Sequence, residues 1–259
     1  MILDDIVADT KRRLEVTKAL VPYELMKKEV LEMPKDTGFP FEKTLAEDGI
    51  SFICEVKKAS PSKGVIATDF PYLEIAKDYE EAGASAISVL TEPNFFQGSN
   101  IYLSEISDEV NIPVLRKDFI VDDYQIYEAK LIGADAILLI CVLLDTKTIR
   151  EYIKLCDDLG LSALVEAHTD LEVESAITAG ARIIGVNNRN LKTFEVDLNT
   201  CIDLRSKVPA NILYVAESGI SAAEDINRLK KAAVDAVLIG ESMMRSNDKT
   251  KMLAALKGE

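Results

Sequence analysis

The chain has 259 residues, enough for one large barrel or two smaller domains, with 30 Lys+Arg against 44 Asp+Glu and a formal net charge of −14. That balance argues against nucleic acid or an anionic membrane as a partner, because both need a cationic face. The longest apolar run, AILLICVLL at 136–144, falls far short of the roughly 18 residues of a membrane helix, and four cysteines without a CxxC pair and one histidine form no zinc pattern.

In chain order, residues 1–47 come first and differ in pattern from the remainder of the chain. Acids sit early, where a signal peptide would carry its apolar core, and the reduced-thiol pattern predicts a cytoplasmic chain. Leu3, Ile6, Val7, Leu14 and Val21 share one helical face. Pro22 suits the first turn of a second helix, YELMKKEVLEM, and Pro34, Gly38 and Pro40 then break the chain. A two-helix extension packed on the main domain is the expectation.

From residue 48 a pattern recurs. AGASAISVL, IGADAILLI, AGARIIGV and AAVDAVLIG each pass from a helix-like end into an apolar strand; their equivalent positions 83, 133, 180 and 233 lie 50, 47 and 53 residues apart. ISFICEVKK, IPVLRKDF, LSALVEAH and ILYVAES supply the strands between, eight in all. The strands are continuous apolar runs, as parallel strands buried on both faces are. Helical patterns such as YLEIAKDYEEAGA and TIREYIKLCDDLG separate them. The fold class is therefore α/β, a (β/α)8 TIM barrel: residues 1–259 form a single barrel domain, with the helical extension at 1–47 and eight βα units at 48–259. A doubly wound open sheet is the rival, weakened by the even repeat and the lack of GxGxxG after the first strand. Since the repeat begins at Ile50, a chain starting near Asp48 is expected to fold.

In such a barrel, function sits at the C-terminal strand ends. Alternation puts Glu55 and Lys57 on one face and Cys54, Val56 and Lys58 on the other. Lys117, Glu166, Asn187 and Glu217 end other strands, with Arg189 just beyond. Three carboxylates, two ammonium groups and an amide on one rim are costly to bury unless they pair or bind something, and they suit proton transfer. ESGI, with Ser218 and Gly219, and IGES, with Gly240 and Glu241, come directly after the last two strands and read as a phosphate cradle.

FICEVKKASPSKG, ISVLTEPNFFQGS, VLRKDFIVDDYQI, ALVEAHT, IIGVNNRNL, VAESGI and VLIGESMMR resemble, in order and across nearly the whole chain, the strand-end motifs of the indole-3-glycerol phosphate synthase family. The resemblance implies conversion of 1-(2-carboxyphenylamino)-1-deoxyribulose 5-phosphate to indole-3-glycerol phosphate, with loss of carbon dioxide and water, in tryptophan biosynthesis. It implies no metal and no organic cofactor, and a phosphosugar substrate; a monomer is a separate expectation for the chain. By resemblance Lys117 is the general acid at the ribulose carbonyl oxygen and Glu166 the later general base, with Glu55, Lys57, Asn187 and Glu217 around them. Ser60, Ser218, Gly219 and Gly240 match phosphate-contacting positions, Arg189 a rim position, and Pro61, Phe96 and Phe119 positions near the aromatic ring. The extension would lie over the substrate end, so that its removal weakens binding.

Such a lysine would have its pKa lowered by desolvation and by a second ammonium. His168 matches no catalytic position and reads as a plain loop histidine. Asp118, on the opposite face from Lys117, reads as structural, and Asp122 and Asp123 read as a helix N-terminus. Two other functions remain open: a related phosphosugar barrel such as phosphoribosylanthranilate isomerase, which would use a Cys/Asp pair and lack the extension, and a non-catalytic ligand-binding barrel.

Overall fold

The computed structural model describes residues 2–190 and 193–259. Eight parallel strands close on themselves: β1 (Ser51–Val56), β2 (Ala86–Leu90), β3 (Val114–Lys117), β4 (Ala136–Ile140), β5 (Ser162–Ala167), β6 (Ile183–Asn187), β7 (Leu213–Glu217) and β8 (Ala236–Ile239). The ring shuts where β8 pairs with β1, from Ser51↔Ala236 to Cys54↔Ile239. Helices lie between successive strands, so the architecture is the (β/α)8 barrel that the repeat predicts. The repeat has a local cause. Gly83, Gly133 and Gly180 have φ of 86°, 88° and 93°, the left-handed turn that ends a helix before the next strand. Ala233 takes the same turn at φ 56° without glycine's freedom.

Alternation along the strands makes two cores. Cys54, Val56, Ile87, Val89, Ile137 and Leu139 face outward and pack under the helices. Ile53, Ala86, Leu115, Ala136, Leu138, Leu164, Ile183, Val215, Ala236 and Leu238 face the barrel axis. The four cysteines are unpaired thiols. Among the described residues, no helix is long and apolar enough to cross a membrane.

The extension holds the two expected helices, α1 (Ile2–Leu20) and α2 (Tyr23–Leu31), and a third short one, α3 (Pro40–Leu45). Ile6 and Leu14 are buried as the helical face predicts, whereas Val21 lies beyond the end of α1 and is 40% exposed. The α1–α2 corner is pinned to the helix Tyr124–Leu131 and its approach. Lys18 pairs with Asp122 at 2.7 Å, and the Tyr23 hydroxyl donates to Asp123 Oδ2 at 2.8 Å. Asp122 also accepts from the Tyr124 N–H at the start of that helix, whereas Asp123 makes no side-chain cap, so both acids anchor the extension and Asp122 alone serves the helix end as well.

α3 changes the expectation for a shortened chain. Phe41 and Leu45 are fully buried and belong to the axial core, closing the N-terminal end of the barrel. The prolines and glycine of this stretch predict a break, yet Pro40 begins a helix there. A chain starting at Asp48 would lack the barrel's floor, so it is not expected to fold as well as the repeat alone suggests.

Candidate active site

Two residues beyond the apolar axial layer, the inward side chains turn polar. Ile53 is followed by Glu55 on β1, Leu115 by Lys117 on β3, Leu164 by Glu166 on β5, and Val215 by Glu217 on β7. They open into a cavity of about 850 Å³ at the C-terminal strand ends. Every candidate site residue anticipated from the sequence lines it: Glu55, Lys57, Ser60, Pro61, Phe96, Lys117, Phe119, Glu166, Asn187, Arg189, Glu217, Ser218, Gly219, Gly240 and Glu241. Leu191, the last residue of the GVNNRNL segment, lies outside the described residues.

Lys117 is the centre of the set. Its Nζ stands 3.3 Å from Glu166 Oε2 and 3.3 Å from Glu217 Oε2, with side-chain exposures of 14%, 3% and 1%. Gly185 on β6 allows this approach, since a Cβ there would run into the Glu217 carboxylate. Glu55 at the end of β1 and Lys57 just past it form a second ion pair. The pKa of Lys117 corrects the sequence expectation. Burial lowers it, but Glu217, Glu166 and Glu55 together outweigh burial and raise it, and no second ammonium reverses the balance. The two carboxylates then part ways. Burial pushes Glu217 up to about 7, with Lys117 opposing and the Glu166 charge assisting. Glu166 is disfavoured by burial too, but Lys117 and His168 hold it below the usual carboxylate range. Burial thus favours the protonated form of Glu217 as pH falls below about 7, while Glu166 is the member of the pair held ionised.

The rest of the cavity has an aromatic side and a loop side. The Phe96 and Phe119 rings lie 5.9 Å apart at 39°, a surface fit for a flat ring. Ser218 and Gly219 take φ of 67° and 83° in the loop after β7 and line the cavity, as do Gly240 and Ser60. The Glu241 side chain is engaged by Lys63 at 3.4 Å and Arg245 at 3.1 Å. Asn187 accepts from the Arg189 N–H at 3.0 Å. Asp118 is structural, as expected: it accepts from Thr91, Arg116 and the Phe119 N–H.

The extension reaches the substrate end as the resemblance implies: Ile2, Leu3 and Ile6 of α1 line the cavity. Other contributors escaped the sequence reading, among them Phe194, Val196 and Arg245. Asn188 bonds the Ser218 carbonyl at 3.0 Å and accepts from the Cys201 N–H, which fixes the loop after β7. Glu92, fully buried, accepts from the N–H groups of Asn94, Phe95 and Phe96 and from Arg13 of α1, so it sets the Phe96 loop and ties it to the extension. The TEPNFF run already hinted at this: a buried acid ahead of Pro-Asn can satisfy a turn's free N–H groups.

A (β/α)8 enzyme with an acid–base set buried at the mouth of its barrel is the class that fold and site define. A family model described as indole-3-glycerol phosphate synthase matches residues 3–256. Proteins of that name from Ruminiclostridium cellulolyticum and Endomicrobium trichonymphae are 59% and 55% identical to this chain, over 100% and 99% of it and 99% and 100% of their own lengths. The chain belongs to the indole-3-glycerol phosphate synthase family. Among solved structures, 3-hexulose-6-phosphate synthase from Salmonella typhimurium superposes with a TM-score of 0.65 at 14% identity, covering 81% of this chain and 97% of that one. Thiamine phosphate pyrophosphorylase from Pyrococcus furiosus gives 0.60 at 16%, covering 84% and 96%. These two likenesses are of fold alone.

Proposed function

We propose that this chain closes the pyrrole ring of 1-(2-carboxyphenylamino)-1-deoxyribulose 5-phosphate and releases carbon dioxide and water, giving indole-3-glycerol phosphate for tryptophan biosynthesis. The observation that carries the assignment of roles is the Lys117 ammonium held between the Glu166 and Glu217 carboxylates, 3.3 Å from each.

The substrate's phosphate lies among Ser60, Ser218, Gly219, Gly240 and the Glu241 backbone, its aromatic ring against Pro61, Phe96 and Phe119, and its carboxylate toward Lys57. Arg189 and Asn187 border the ribulose chain. Ring closure joins the ring carbon that bears the carboxylate to the ribulose carbonyl carbon. The carbonyl oxygen gains charge as that bond forms and takes a proton from Lys117. The raised pKa of Lys117 keeps it charged until then, and an alkoxide is far more basic than an amine, so the proton moves only when it is needed. Carbon dioxide leaves, and its electron pair restores the aromatic ring. Hydroxide then departs, taking a proton from solvent to become water, while Glu166 removes the proton from carbon. No metal or organic cofactor enters these steps. The chain acts as a cytoplasmic monomer, with neither nucleic acid nor membrane as a partner.

The converging Glu/Lys set favours this reading over phosphoribosylanthranilate isomerase chemistry, which would use a Cys/Asp pair. Cys141, the half-buried thiol, is pushed up to about 12 by burial and is a poor acid–base group. The test is to mix the purified chain with the carboxyphenylamino substrate and follow indole absorbance and carbon dioxide together. Equal amounts of both are expected; substrate loss without carbon dioxide would overturn the assignment.

A further inference from the structure

His168, the chain's only histidine, has no part in the proposed reaction, yet its position beside Glu166 is specific. It lies two residues past Glu166, on the same strand face. Its Nε2 is 3.5 Å from Glu166 Oε1, and its Nδ1 is 3.3 Å from Glu172 Oε2, at the start of the helix Asp170–Ala179. The His168 backbone N–H donates to the same Glu172 oxygen at 2.7 Å. The Nε2 atom is buried and finds no hydrogen-bond partner, so Glu166 is the charge it faces. The ring is therefore threaded between a carboxylate of the reaction chamber and one nearer the surface. From other strands, Glu217 acts on it from β7, and Lys117 on β3 stands against Glu166. The Cys141 thiol, just past β4, donates to the Glu172 carbonyl at 3.5 Å.

The geometry poses a selection problem. Lys117 stands 3.3 Å from both Glu166 and Glu217, so Lys117 does not choose which of the two carboxylates stays ionised. His168 breaks the symmetry, because its ring abuts Glu166. We propose that His168, clamped by Glu172, is a positioning residue that keeps Glu166, rather than Glu217, the ionised member of the pair. This rests on the reading of Glu166 as the general base. The electrostatics agree. Burial opposes a charged ring, but the Glu172 hydrogen bond and the Glu166, Glu172 and Glu217 charges outweigh it and raise the imidazole pKa. The same ring helps hold Glu172 low, against the burial that would raise it.

The test is the pH dependence of kcat and KM for wild type, His168→Gln and Glu172→Gln, each checked by circular dichroism and Tm. The acid limb of kcat reports protonation of the base. Removing a cation beside a carboxylate raises its pKa, so in His168→Gln the limb moves to higher pH by about one unit, within the usual range of about 1–3 units for a close opposite charge. Glu172→Gln moves it the same way by less, since the ring is then less often charged. On the alkaline side, where the wild-type ring is neutral as well, kcat of His168→Gln approaches that of wild type, and KM stays within about threefold of it. A packing role would instead lower kcat by one factor at every pH and leave the limb in place, and that result overturns the proposal. An unchanged profile overturns it too. If His168→Gln does not fold, the limb of Glu172→Gln decides alone. A wild type without turnover overturns the functional reading and this proposal together, whereas an active wild type with an unmoved limb in the variants removes the proposal only.

Discussion

The two ends of the barrel are made by the same strands, yet they are opposite environments. At the N-terminal end the axial side chains are apolar, and Phe41 and Leu45 of α3 close it completely. At the C-terminal end, two residues further along the same strands, the axial positions hold Glu55, Lys117, Glu166 and Glu217, and the space above them is a cavity of about 850 Å³. One pleat, about 6.6 Å of strand, separates the apolar residues that stabilise from the charged ones proposed to react. The extension serves both ends, with α3 as floor and Ile2, Leu3 and Ile6 of α1 as part of the wall at the mouth. The difference teaches that buried charge is tolerated here because a closed apolar floor supplies stability elsewhere, so changes at the two ends should separate activity from folding.

The largest effect is expected at the mouth. Glu166→Gln should lower turnover by about 10²–10⁴, the usual worth of a general base, in a chain that keeps its circular dichroism spectrum. Phe41→Ala tests the other end. It should cost about 3–5 kcal/mol of stability in denaturant titration. Its turnover per folded molecule should stay within about twofold of wild type, and a hundredfold loss there would break the separation between the ends. Next comes a chain beginning at Val21, which keeps the floor and loses part of the wall at the mouth together with the Arg13–Glu92 tie. Its KM should rise about tenfold, roughly 1.4 kcal/mol of binding, while the barrel stays folded. A chain beginning at Asp48, stripped of Phe41 and Leu45, should melt far lower than this one.

The smallest effect is a pH slope. Glu217 titrates near 7 in the folded chain, above the ordinary value of 4.5, because burial disfavours its charge. The folded state then binds more protons than the unfolded state between those values, so this group's contribution to stability is complete below pH 4.5 and is lost as pH rises toward 7. Glu217→Gln removes that loss. Its Tm should fall less than that of wild type between pH 5 and 8, and an identical slope would show that burial of Glu217 does not load the fold.

Much of this was legible in the sequence, and the reasons are specific. A barrel with all-parallel strands repeats its helix ends, so Gly83, Gly133 and Gly180 showed where each unit turned, and alternation then placed Glu55 with Lys57 on the inner face. The six charged or amide strand ends stood out because apolar runs do not normally finish that way. What stayed hidden depended on contacts distant in sequence. α3 looked like a break because prolines mark both breaks and helix starts, and only the barrel interior gives Phe41 and Leu45 a place to go. Glu92 and Asn188 act through backbone groups of loops whose paths no periodicity reveals. The three rim carboxylates were visible in the sequence, but the direction of the Lys117 shift required their distances to it, and His168 gained meaning only once Glu172 was found on its other side.

The division between a reacting mouth and a stabilising floor is tested most directly by indole-3-glycerol phosphate formation per folded molecule in Lys117→Met. Turnover should fall by at least about a hundredfold, as loss of a general acid requires, with folding retained because the axial core beneath is untouched. Turnover within about tenfold of wild type in a folded variant would contradict the account and remove Lys117 from the chemistry.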